Sequence, residues 1–76
     1  MSKLPVVSGR ETVRALQRAG FVLDRQRSSH AHLFHEQRRR AVTVSGHSNR
    51  DLAPGTLRAV LRQAGLTVEE FIALLD

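Results

Sequence analysis

The chain has no cysteine, no tryptophan and no tyrosine in its 76 residues, and one lysine among its twelve basic side chains. Without cysteine there is no disulfide, no thiolate metal site and no cysteine nucleophile, a usage that fits a reducing compartment. With three phenylalanines as the whole aromatic complement besides histidine, any core must be mostly aliphatic. No run approaches the ~20 consecutive apolar residues a bilayer span needs. The opening Met1-Ser2-Lys3-Leu4-Pro5-Val6-Val7 also lacks the apolar stretch of a secretory signal. These absences lead us to expect a soluble, cytoplasmic protein with no membrane attachment. Its length leads us to expect one domain over 1–76, because a chain this short buries only roughly 60% of its unfolded surface and has no room for a second core.

Acidic residues are also scarce, seven against twelve basic, for a net charge of +5. Eleven of the twelve bases are arginine. Its planar guanidinium grips phosphate through two hydrogen bonds and stacks on bases. A chain of this charge calls for a polyanionic partner, either nucleic acid or an acidic protein surface, and the plain alternative is a solvated basic exterior.

Ser8-Gly9-Arg10-Glu11 has the S-x-x-E form of a capping box. It predicts a helix from Gly9 to Ala19, with Val13 and Leu16 inward, Gly20 as its stop and Arg10, Arg14 and Arg18 in a basic stripe. Phe21–Arg25 reads as a strand, Gln26–Ser28 as a turn, and residues 29–35 as a second strand. Period two then places His30, His32 and Phe34 on one face and Ala31, Leu33 and His35 on the other. Glu36 to Arg40 form a charged hairpin connection, and the β-branched run Ala41–Ser45 a third strand. Residues 46–51 read as a loop. Pro54 suits the first turn of a helix running to Ala64, which Gly65 ends. Thr67 with Glu70 repeats the capping box, Leu66 and Phe71 form a hydrophobic staple, and a short last helix follows. The expected class is α+β: a three-stranded antiparallel meander with helices on one face, in the order α-β-β-β-α plus a short C-terminal helix. This is the order of the double-stranded-RNA-binding domain.

The segment Arg25-Gln26-Arg27-Ser28-Ser29-His30 carries the chemistry. A histidine exchanges protons near neutral pH, and guanidinium groups beside it attract phosphate, which is what cleaving an RNA chain requires. Arg25, Arg27, the run Arg38-Arg39-Arg40 and the hydroxyls of Ser28 and Ser29 are candidate phosphate contacts. The alternative readings are a solvated hairpin for the triple arginine and a turn-shaping role for the serines. His30 and His32 would sit side by side, but His35 lies on the other face and no carboxylate cluster completes a tetrahedral site, so no metal or cofactor is expected.

Three stretches, taken together and in order, resemble a known family. They are Leu4-Pro5-Val6-Val7-Ser8-Gly9 with Ala19-Gly20-Phe21, the basic residue and triplet ending at His30, and Val42-Thr43-Val44 with His47 and Leu52-Ala53-Pro54-Gly55-Thr56-Leu57-Arg58, closing at Leu61–Leu66. Over nearly its whole length the chain resembles the HicA toxins, small ribonucleases of bacterial and archaeal toxin–antitoxin pairs. The resemblance implies a double-stranded-RNA-binding-like fold, metal-independent cleavage of mRNA, and inhibition by a cognate HicB antitoxin. The family's catalytic histidine falls on His30. Ser28 stands where the family's triplet has glycine, which brings a β-carbon into that turn. Ser45 stands where relatives often have proline. In this reading His30 is the general base or acid–base residue of a reaction in which the 2′-hydroxyl attacks the adjacent phosphorus. His47 and Ser29 are supporting candidates and His32 a further one. The alternative is a noncatalytic double-stranded-RNA-binding or adaptor module, and a third reading is a regulator whose basic face meets an acidic protein.

Overall fold

The computed structural model describes residues 3–27, 30–45 and 49–75. Its elements are α1 (Gly9–Arg18), β1 (Val22–Arg27), β2 (His30–His35), β3 (Arg40–Ser45), α2 (Pro54–Ala64) and α3 (Val68–Ala73). The strands form one antiparallel sheet in the order β1-β2-β3, so the α+β architecture expected from the patterning is present.

Both capping boxes form. The Ser8 hydroxyl accepts from the Glu11 N–H at 3.0 Å while the Glu11 carboxylate accepts from the Ser8 N–H at 2.8 Å. Thr67 and Glu70 make the same pair at the start of α3. At their C-termini α1 and α2 share a second device. Phe21 N–H reaches the Leu16 carbonyl and Gly20 N–H that of Gln17; Leu66 N–H reaches Leu61 and Gly65 N–H reaches Arg62. These are paired Schellman stops, with glycine at φ 103° and 72° where a side chain would be strained. Each delivers the next residue, Phe21 or Leu66, into apolar packing. Because the stop is built this way, α1 ends one residue before the expected Ala19.

The sheet buries Ala31, Leu33, Val42 and Val44 against Val13 and Leu16 of α1 and Val60 and Ala64 of α2. A second cluster joins Val7, Ala15, Leu57, Leu61 and Phe71, so α3 closes the space between the two longer helices. The N-terminal segment is tied in by Leu52 N–H to the Val7 carbonyl at 2.8 Å and Gly9 N–H to the Arg50 carbonyl at 3.2 Å. All helices therefore lie on one side, and the other side of the sheet carries exposed or half-buried residues. Among the described residues, no helix is long and apolar enough to cross a membrane.

Two strands depart from the expected limits. β1 continues through Arg27, since pairing with β2 gives Gln26 and Arg27 ladder partners in place of a turn. β3 begins at Arg40, which pairs with His35. The edge of β3 is not left open: the Thr43 N–H donates to the Gln63 side-chain oxygen of α2 at 3.0 Å.

Candidate functional site

The uncovered face of the sheet is a grid of three rungs. Opposed residues of an antiparallel pair share a face, with Cβ atoms about 4.5–5.5 Å apart. The register therefore aligns Arg27–His30–Ser45, then Arg25–His32–Thr43, then Val22–Phe34–Ala41 across the three strands. His30 is exposed at the first of these, and Arg25 and Arg27 are exposed beside it.

The two arginines reach this face because β1 contains a bulge between Leu23 and Arg25. Strict alternation from Val22 would put Val22, Asp24 and Gln26 on the open face and send Arg25 and Arg27 toward the helices. Asp24, the extra residue, shifts the phase by one, and both guanidinium-bearing positions change sides. Bulges commonly re-aim a side chain in this way beside functional sites. Proximity along the chain groups Arg25 and Arg27 with His30, but nothing local in the sequence signals the bulge that puts them on the same side.

In the middle rung, a hydrogen bond of 3.2 Å joins the Thr43 hydroxyl to His32 Nδ1. That contact ties the His32 ring to the neighbouring strand. Arg25, His32, Phe34 and Thr43 line a depression of about 380 Å³ that Asp24, Ala41 and neighbouring backbone complete.

The remaining candidates are placed elsewhere or not described. Ser28, Ser29 and His47 lie outside the described residues. Arg38 and Arg39 are exposed in the β2–β3 connection, at the end of β2 opposite His30, about 17 Å away at strand rise. Arg40 has structural employment: its Nη1 donates to the Gln63 carbonyl at 3.3 Å, and its guanidinium lies over Gly65 at the end of α2.

His35 is the buried histidine of the strand. Its Nδ1 accepts the Arg38 N–H at 3.1 Å, leaving the proton on Nε2, which donates to the Ala19 carbonyl at 3.2 Å. Its ring meets Phe21 edge-on, with centroids 5.0 Å apart. His35 and Arg40 are paired across the hairpin base, and each covers the terminal glycine of a different helix; a β-carbon on Gly20 would come within 2.8 Å of His35. Alternation in β2 correctly separated His35 from His30 and His32. Of its two nitrogen partners, one is the Arg38 N–H of the adjoining turn and the other the Ala19 carbonyl at the end of α1, which no local pattern connects to it. No group of three or more His, Cys, Asp or Glu among the described residues could hold a metal ion.

A family model for the HicA toxin of bacterial toxin–antitoxin pairs matches residues 9–66. The chain belongs to the HicA toxin family. As a HicA member it is the toxin of a toxin–antitoxin pair, which implies an antitoxin partner. The matched segment runs from the first helix to the residue after Gly65, and so contains every strand of the grid. No curated protein matches the chain.

Proposed function

We propose that this HicA toxin is an endoribonuclease that cleaves mRNA without a metal and so stops translation and growth, with His30 as the proton-transfer group. The observation that carries the reading is the shared open face: an exposed imidazole in one rung with Arg27 and next to Arg25, on a chain of net charge +5. Neutral His30 takes the proton of a ribose 2′-hydroxyl, whose oxygen forms a bond to the adjacent phosphorus. The bond to the 5′ oxygen breaks, and that oxygen leaves with a proton returned from an acid or from water. The products are a 2′,3′-cyclic phosphate and a 5′-hydroxyl end. Arg25 and Arg27 offset the charge that builds on the phosphate oxygens. Ser28, Ser29 and His47 are proposed as supporting groups on side-chain chemistry alone, and Arg38 and Arg39 as distant attractors of the chain. A HicB-type antitoxin would neutralise the toxin by covering this face, in the cytoplasm where transcripts are.

His30→Ala should fold normally and lose about 10²–10⁴-fold in cleavage of single-stranded RNA, the usual size of a general acid–base contribution. Circular dichroism and fragment analysis on a gel, in excess EDTA, measure both parts. A folded variant that cuts as well as the parent would end the assignment. Tight RNA binding with no His30-dependent fragments would favour a noncatalytic binding module instead.

A further inference from the structure

The rung farthest from His30 has a different character from the other two. Val22, Phe34 and Ala41 face the open side there with no cation among them. Val22 is 66% exposed and stands opposite Phe34, so the rung presents apolar surface to solvent. Phe34 is half-buried and is a wall of two depressions, the one of about 380 Å³ beside His32 and one of about 580 Å³ beside Gly20. Asp24 lines both. A phosphate would be repelled by that carboxylate, whereas a flat, uncharged ring would gain an apolar wall and a hydrogen-bond acceptor. Arg25 stands between this rung and His30, and the separation along β2 is about 13 Å at strand rise.

We propose that the Val22–Phe34–Ala41 rung is a nucleobase subsite, in which Phe34 stacks on one base of a single-stranded RNA lying across the grid. The inference rests on the RNA-cleaving reading above and deepens it. The cations set the path of the backbone along Arg25 and Arg27, and the aromatic ring holds a base at a fixed distance from the linkage cut at His30. Charge complementarity selects RNA as occupant: the same face presents Arg25, Arg27 and two imidazoles, on a chain with five surplus positive charges. Every base has a π-face, so stacking of this kind tolerates sequence while fixing position.

The test uses uncleavable 2′-O-methyl oligonucleotides carrying 2-aminopurine at successive positions. The protein has neither tryptophan nor tyrosine, so emission comes from the probe alone. With the parent protein, quenching should appear at one position; Phe34→Tyr should preserve it, and Phe34→Leu should abolish it and weaken binding about 5–100-fold. Should Phe34→Leu not fold, an oligonucleotide abasic at the quenched position must lose a similar factor against the parent protein. If His30-dependent cleavage holds but no position is quenched, or Phe34→Leu binds and quenches like the parent, the base subsite is wrong and the nuclease reading survives. If the parent binds no RNA, both fail. If Phe34→Leu loses only its grip on a co-expressed antitoxin, the rung is a protein contact and the inference is overturned.

Discussion

Arg39 occupies the left-handed region, φ 57°, and is the one described non-glycine residue to do so. It closes the β2–β3 connection, where its N–H returns to the His35 carbonyl at 2.8 Å. An L-residue with a long side chain pays for this conformation, while asparagine adopts it readily through its short polar side chain. Arg39→Asn should therefore stabilise the fold by about 0.5–1 kcal/mol, avoiding the extra unfolded-state entropy that glycine brings. A thermal melt should show a rise in Tm of about 2–8 °C for a domain of this size. An unchanged or lower Tm would mean that the Arg39 side chain makes a compensating contact. At the same scale, the two histidines of β2 that alternation assigned to opposite faces have opposite employment. His30 is exposed, and His35 is buried with both ring nitrogens engaged. Side-chain direction was legible from period two, but what the buried ring touches was not, because Ala19 and Phe21 meet His35 only after the chain has folded.

Among the elements, the helix starts were the most legible features, because S-x-x-E and T-x-x-E signals are local and each resolves into a two-bond capping box. The first of these carries a pH dependence. The Ser8 backbone N–H, followed by the Ser8 hydroxyl and the Arg14 charge, holds the Glu11 carboxyl below the ordinary 4.5. A carboxyl lowered by folding contributes its stability above the unfolded pKa and loses it as pH falls through the folded value. The first turn of α1 should consequently fray in acid below 4.5, seen as movement of the Ser8 and Glu11 amide resonances. In Glu11→Gln those resonances should lose this acid response. The bulge of β1 was invisible beforehand, since Val-Leu-Asp-Arg-Gln-Arg is equally compatible with regular alternation, and only pairing against β2 exposes the extra residue. Deleting Asp24 should restore an unbroken ladder while leaving Arg25 opposite His32 and Arg27 opposite His30. Cross-strand nuclear Overhauser contacts between Arg25 and His32 in the deletion variant would verify it, and a slipped register pairing Arg25 with Ala31 would refute it.

Taken as a whole, the molecule keeps its proposed site and its fastenings at opposite ends of one sheet. His30 and the two arginines occupy one end, while His35 and Arg40 hold the C-terminal turns of α1 and α2 at the other. The layered architecture was legible from composition and order, as was the shared face of His30 and His32; the segregation was not, since it depends on long-range contacts among side chains of ordinary type. It also gives the β2–β3 hairpin a mechanical part. A transient peeling of residues 35–40 would release Ala19 and Gln63 in the same event, so two helices far apart along the chain would come loose together. Hydrogen exchange should reveal this as one shared opening rate for the Gly20, Phe21, Gly65 and Leu66 amides, all of which bond back into a helix terminus. Independent rates at the two termini would show that the hairpin does not yoke them.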